Sequence, residues 1–254
     1  MTDFRTRVRR RDVLVAPLLT LGSPEVAEIF TLLGFDWVWI DLEHTPLSLE
    51  GAQQLVQAVS GRAGTIIRVP WNDPVHIKRT LDLGCDGVIV PQVKTAAEAR
   101  QAVAAAKYPP TGIRSVGIAR AQQYGMALQE YVLAANERVT VLLQIEHIDA
   151  APHLGEILAV SDVDGIIFGP YDLSASMGKP GQISHPEVAK VITDLASSCN
   201  DRGMAWGAFA PDAPTGKTHL ERGATLIVLG TDTMHLGKSA KAALEDVRAP
   251  HHHP

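Results

Sequence analysis

Short apolar runs and helix-periodic segments alternate along this chain with little interruption. The β-branched and aromatic runs Val13–Leu19, Phe35–Ile40, Thr65–Val69, Gly87–Val90, Val139–Glu146, Val163–Phe168, Ala205–Phe209 and Thr225–Leu229 predict eight strands. Between them, helical spacing of apolar positions predicts helices over Leu49–Val59, Pro74–Leu83, Ala96–Lys107, Met126–Ala135, His185–Asp201, Pro214–Arg222 and His235–Val247. Ser23-Pro24-Glu25 adds one more helix start, an N-cap followed by proline in the first turn. Eight strand–helix units in 254 residues predict an α/β chain folded as a single-domain (β/α)8 TIM barrel over residues 1–254, with an ordered core at about 12–247 and a tail over 248–254. The alternative, a doubly wound open sheet, is disfavoured because no G-x-G-x-x-G follows the first strand.

Composition narrows the function classes. A chain that is 46% apolar can bury a large core. A net charge of −5 with dispersed Lys and Arg argues against a nucleic-acid surface, and no apolar run reaches membrane-spanning length. The expectation is a cytoplasmic protein acting on small molecules. Cys85 and Cys199 sit in apolar patterns and are expected as buried free thiols. Two motifs are imitations. Arg9-Arg10-Arg11 before Val13–Ala16 resembles an export signal, but Pro17 interrupts the run and no small-residue cleavage site follows. Thr215-Gly216-Lys217-Thr218 resembles the end of a phosphate loop, but Pro211 occupies the position that needs glycine, so a helix start is expected. His251-His252-His253 is expected in a disordered tail.

The strand ends carry the chemistry. In a barrel they open on one face, and here they read Asp41-Leu42-Glu43-His44, Arg68-Val69-Pro70-Trp71, Pro91-Gln92-Val93-Lys94, Gln144-Ile145-Glu146-His147, Gly169-Pro170-Tyr171-Asp172, Ala210-Pro211-Asp212 and Gly230-Thr231-Asp232. Glu146 and Asp172 fall at equivalent ends of adjacent strands. They are either two solvated acids or the oxygen ligands of a divalent cation, since neighbouring carboxylates repel unless a proton or cation separates them.

Six ordered motifs then give a family resemblance. Ile40-Asp41-x-Glu43-His44, Arg68-x-Pro70-Trp71, Ile77-Lys78-Arg79-x-Leu81-Asp82-x-Gly84, Tyr108-Pro109-Pro110-x-Gly112-x-Arg114, Gln144-x-Glu146 and Gly169-Pro170-x-Asp172-Leu173-Ser174 resemble the HpcH/HpaI aldolases, over about Gly22 to Leu244. The resemblance implies a metal-dependent class II pyruvate aldolase, cleaving 2-keto-3-deoxy sugar acids or related 4-hydroxy-2-oxo acids to pyruvate and an aldehyde. It implies a divalent ion (Mg²⁺, Mn²⁺ or Co²⁺) on Glu146 and Asp172, with Gln144 beside it. Arg68 would stabilise the enolate oxygen, and His44, oriented by Asp41, would move the proton of the aldehyde oxygen. A loop opened by Gly169, Pro170 and the amides of Tyr171 and Asp172 would receive the pyruvate carboxylate. Val116 and Phe209 match positions that touch the apolar part of the aldehyde.

The resemblance also implies a homo-hexamer, a trimer of dimers exchanging the C-terminal helix, in which Asp82 reaches a neighbouring subunit's site. Ala240, Ala243, Leu244 and Val247 form an apolar stripe suited to that partner. Glu43 is expected as a structural acid, His147 has no assigned role, and Trp39 and Trp71 are expected as packing residues. Lys94, the lysine placed for a competing imine mechanism, is expected to face solvent before the N-cap Thr95. Ser115, where many members have glycine, and Tyr171, often alanine, depart from the common pattern and bear on the aldehyde half. A decarboxylase of oxaloacetate-like acids, or a non-catalytic oxo-acid binder, are the other function classes.

Overall fold

A computed structural model describes residues 3–249. The chain runs α1 (Phe4–Arg9), β1 (Leu14–Leu19), α2 (Pro24–Leu32), β2 (Trp37–Asp41), α3 (Leu49–Val59), β3 (Gly64–Arg68), α4 (Pro74–Leu81), β4 (Gly87–Val90), α5 (Ala96–Ala106), α6 (Leu128–Arg138) and β5 (Thr140–Ile145). It continues through α7 (Leu154–Ile157), β6 (Gly165–Phe168), α8 (Pro170–Ser176), α9 (Pro186–Asp201), β7 (Ala205–Ala210), α10 (Ala213–Glu221), β8 (Leu226–Thr231) and α11 (Asp232–Arg248). The eight strands are parallel and close into one barrel in chain order.

Strand periodicity decides which side chains fill the barrel. Successive residues point to opposite faces, so one series packs outward against the helices: Val38 and Ile40, Ile67, Val141 and Leu143, Ile166 and Phe168. The other packs inside the barrel: Leu14 and Ala16, Trp37 and Trp39, Ile66, Ile89, Leu142, Ile167, Leu226 and Val228. Extending the inward series toward the strand C-termini gives Asp41, Arg68, Gln144, Glu146 and Gly169, so polar residues that share the core's parity converge on the mouth. The β2–β3 register sets Asp41 beside Arg68.

The opposite end is sealed by α1, a helix the sequence pattern does not predict. Asp3 caps it by accepting from the Thr6 amide, and Phe4 and Val8 enter the barrel interior. Arg5, buried, and Arg9, half-exposed, are tethered to one buried acid. Arg5 Nε donates to both oxygens of the buried Asp164 at 2.9 and 3.0 Å, Arg9 Nε donates to the same carboxylate at 2.6 Å, and Asp164 also accepts from the Val141 amide. The ordered core therefore begins well before residue 12. The arginine cluster neutralises Asp164 and Asp162 and belongs to the fold.

Two further expectations change. The segment after Gly169 is not a loop: Pro170–Ser176 is a helix, started by proline, whose fixed φ suits the first turn. The last helix starts earlier than expected, at Asp232, because Thr231 caps it through the Met234 amide. The residues from 250 on, His251–His253 among them, lie outside the described part, and Arg248 closes α11.

Replacing Asp164 by alanine would strand the Arg5 guanidinium, whose side chain is 3% exposed, without its principal counter-charge. Asp164→Ala should cost roughly 3–5 kcal/mol of unfolding free energy. Chemical denaturation checks this, and a loss under about 1 kcal/mol, typical of a surface ion pair, would contradict the buried-tether account.

Candidate active site

Arg68 is the centre of the mouth. The guanidinium is buried and clamped edge-on by Asp41, with Nε to Oδ1 at 2.9 Å and Nη2 to Oδ2 at 2.7 Å. Nη1 lies 3.1 Å from Glu43 Oε2 and 3.4 Å from Gln144 Oε1. The flat face lies over the Trp39 ring, 5.1 Å from its centroid. Of the five N–H groups of a guanidinium, three are hydrogen-bonded, to Asp41 twice and to Gln144 once; one on Nη2 and one on Nη1 are left, the latter group facing Glu43 Oε2, which accepts no hydrogen bond.

Four carboxylates surround this one cation: Asp41, Glu43, Glu146 and Asp172. Glu146 is buried, accepts from the Gln92 amide at 2.8 Å through Oε1, and accepts from Gln144 Nε2 through Oε2. Gln92 reaches it from a left-handed backbone conformation, φ 58°, an arrangement a non-glycine residue adopts only when its surroundings hold it there. Burial pushes the Glu146 carboxyl up to about 7. The Gln92 amide opposes this, and the charges of Glu43 and Asp172 add to it. Glu43 is likewise pushed up to about 7, by burial first, with Arg68 opposing and Asp41 and Asp172 adding. Asp172, exposed on the first turn of α8, makes no hydrogen bond or ion pair within the described chain. Gly169 explains how these groups fit together. A Cβ there would lie 2.7 Å from Glu146 Cβ, 2.8 Å from its Oε2 and 3.2 Å from Gln144 Nε2.

The carboxylate pair Glu146 and Asp172 suits a hard divalent cation by charge and donor type. Among the described residues, no group of three or more His, Cys, Asp or Glu side chains is assembled for a metal.

A cavity of about 230 Å³ opens beside Arg68 and Asp172. His44, Gln144, Gly169, Pro170, Tyr171 and Phe209 line it, together with Leu18, Trp39, Ile167, Phe168, Val228 and Thr231. Most of the residues expected from sequence therefore meet here, with Asp41 and Glu146 buried behind them. Three placements differ from expectation. Asp41 spends its carboxylate on Arg68 and on the Glu43 amide, so it does not orient His44. The carboxylate oxygen near the exposed His44 is Glu43 Oε2, 3.7 Å from Nε2. Val116 is exposed on the segment between α5 and α6, which connects at the strand N-terminal end, and takes no part in this cavity. Asp82, at the C-cap of α4, lies toward the same far end and accepts from Arg114 at 2.8 Å.

Trp39 is both packing and site wall. Its signal was available: it stands two residues before Asp41 and so shares its inward face. Trp71 is exposed, as a residue past the strand end can be. His147 caps a short 3₁₀ turn by accepting from the Asp149 amide, and Lys94, before the capping box of Thr95 and Glu98, is not among the cavity's lining residues. Thr215–Thr218 lie inside α10, whose N-cap is Asp212.

Comparison with known proteins agrees with this geometry. The family model described as HpcH/HpaI aldolase/citrate lyase matches residues 18–239. A 4-hydroxy-2-oxo-heptane-1,7-dioate aldolase from Shigella sonnei is 41% identical over 243 residues, covering 94% of this chain and 92% of its own. The crystal structure of an HpcH/HpaI aldolase/citrate lyase family protein from Burkholderia cenocepacia superposes with a TM-score of 0.93 at 31% identity, covering 96% of this chain and 98% of that one. An HpcH/HpaI aldolase from Desulfitobacterium hafniense gives a TM-score of 0.88 at 29% identity over the whole of both chains. With the family model spanning most of the barrel and the curated relative this similar, the chain belongs to the HpcH/HpaI aldolase/citrate lyase family.

Proposed function

We propose that this protein is a class II pyruvate aldolase that reversibly cleaves a 4-hydroxy-2-oxo acid, of the 2-keto-3-deoxy sugar acid type, into pyruvate and an aldehyde. The observation that carries this reading is the clamped Arg68 guanidinium, with N–H groups to spare, set beside the carboxylate pair Glu146 and Asp172 in an apolar-walled mouth. The family membership and the aldolase name of the Shigella sonnei relative support it.

Glu146 and Asp172 would hold a divalent ion such as Mg²⁺, Mn²⁺ or Co²⁺, which when bound supplies a Lewis acid for substrate oxygens. The residues of the chain do the rest. Gln144 holds Glu146 through its amide and touches Arg68 through its carbonyl oxygen, fixing both. In the first turn of α8 the N–H groups of Tyr171 and Asp172 are offered to the pyruvate carboxylate, since the first turn of a helix lacks intrahelical acceptors, Pro170 has no N–H, and Gly169 donates to the Ile145 carbonyl. In cleavage, His44 accepts the proton of the C4 hydroxyl, the C3–C4 bond breaks, and its electron pair passes to the enolate. Arg68 stabilises the charge that develops on the C2 oxygen, a fixed cation in a site that needs no reorganisation. Glu43, between Arg68 and His44, steadies the imidazole. Tyr171 and Phe209 line the half of the cavity open to the aldehyde.

The same reading extends to assembly and location. From Leu236 onward most of α11 is exposed, including Leu236, Leu244 and Val247, while Ile29, Leu32 and Leu33 are exposed on α2. Two uncovered apolar faces on helices that flank the β1–β8 seam support a homo-hexamer in which α11 lies on another subunit, with Asp82 directed to a neighbour's mouth. Cytoplasmic location is part of this reading. Cys85 and Cys199 are free and buried, and no described helix is long and apolar enough to cross a membrane.

Exhaustive chelation should abolish cleavage, and Mg²⁺ or Mn²⁺ should restore it. Glu146→Gln and Asp172→Asn should each remove nearly all activity with the fold intact by circular dichroism. Full turnover in the chelated enzyme would sink the metal assignment.

His44→Ala should slow aldol cleavage roughly 10²- to 10⁴-fold, the usual worth of a positioned acid or base. It should spare most oxaloacetate decarboxylation, which has no hydroxyl to deprotonate. Arg68→Ala should damage both reactions, because both place charge on the same enolate oxygen. A parallel loss of both activities in His44→Ala would reassign His44 to the enolate.

Light scattering at micromolar concentration should give a hexamer mass. A monomer would remove both the helix exchange and the shared role of Asp82.

A further inference from the structure

We propose that Trp39 is a positioning residue for Arg68: its indole face is the floor on which the guanidinium rests, and a stacked aromatic column running to the opposite end of the barrel holds that floor in place. The proposal rests on the aldolase reading only for its kinetic arm.

The column is continuous. Arg68 Cζ sits 5.1 Å from the Trp39 centroid. Trp39 stacks on Trp37 with centroids 6.4 Å apart and planes 20° apart, and Trp37 meets Phe4 of α1 at 5.7 Å. Phe4 is wedged at the bottom, since a Cβ on Gly64 would lie 2.5 Å from its ring. Trp39 is 4% exposed, yet it lines the cavity. Its Nε1 is buried with no hydrogen-bond partner, so packing alone fixes the plane of the ring.

This geometry supplies what the in-plane contacts cannot. Asp41, Glu43 and Gln144 reach the guanidinium around its edge. Edge contacts set its direction and leave it free to tip toward the barrel interior. An aromatic face beneath it blocks the tip, attracts the cation through the ring quadrupole, and keeps water from its underside, where the lower local dielectric strengthens its pull on charge above.

The test compares Trp39→Leu, which removes the aromatic face, with Trp39→Phe, which keeps one. If Arg68 is positioned through the ring, kcat for oxo-acid cleavage should fall roughly 5- to 30-fold in Trp39→Leu, with KM little changed, and Trp39→Phe should recover most of it. A residue that only filled volume would lower the melting temperature in Trp39→Leu and leave kcat of the folded enzyme alone; that result, or an equal loss in both variants, overturns the proposal.

A binding arm is independent of turnover. Trp39 is the one tryptophan of four on the cavity wall. Pyruvate with Mg²⁺ should therefore change tryptophan emission in the wild type and in Trp71→Phe, and the change should be largely lost in Trp39→Phe. An unchanged response in Trp39→Phe overturns the proposal even where Trp39→Leu fails to fold. A wild-type enzyme that cleaves no oxo acid but shows this emission pattern would refute the aldolase reading and leave the floor standing.

Discussion

A guanidinium buried at the mouth of an apolar barrel dictates the rest of this site. Removing such a charge from water is costly unless a counter-charge meets it in good geometry, and the β2–β3 register supplies one by placing Asp41 beside Arg68. With its oxygens turned to Arg68 and the Glu43 amide, Asp41 makes no hydrogen bond to His44. Glu43 lies between Arg68 and His44, its Oε2 3.1 Å from the guanidinium Nη1 and 3.7 Å from the imidazole Nε2. The remaining acids are then in excess. Glu43 and Glu146 are both pushed up to about 7, by burial first, with the charge of Asp172 adding to each, so a cation or a proton between these acids would relieve their repulsion.

Rigid backbone makes this concentration of charge possible. The functional side chains stand on strand ends or in the first turn of a helix, except His44 and Glu43, which follow β2 directly. Gly169 shows how tight the construction is, because even a methyl group there would overlap the Glu146 carboxylate. The Gln92 backbone is turned into an unfavourable region to bring one more donor to the same acid. These are features of a site held in its working arrangement before substrate arrives.

Much of this was legible in the sequence, and the omissions have physical causes. Eight strands and their helices were readable because each unit alternates period and carries its own caps, as at Ser23-Pro24, Thr95 and Asp212. The site residues were readable because a barrel gathers strand ends on one face. Parallel strands buried on both sides show no polar alternation, so the inward face of Trp39 can be read only by counting back two residues from the polar strand end Asp41. The partner of Asp41 could not be read because it depends on register between strands, which local patterning does not contain. Helix α1 was missed because an arginine-rich segment looks solvated; only the fold brings Asp164 to Arg5 and Arg9. Val116 could not be placed by likeness alone, because its segment connects at the far end of the barrel from the mouth.

With Phe4 and Val8 plugging one end, the barrel is a blind well. Everything that enters or leaves the chemistry must pass the same rim: substrate, both products, and the proton that quenches the enolate. Traffic through a single door imposes an order. The fragment nearer the opening must depart before the one seated below it, and in the synthetic direction the deeper partner must load first. For the proposed reaction, a pyruvate seated on Arg68 beneath the aldehyde would be first in and last out.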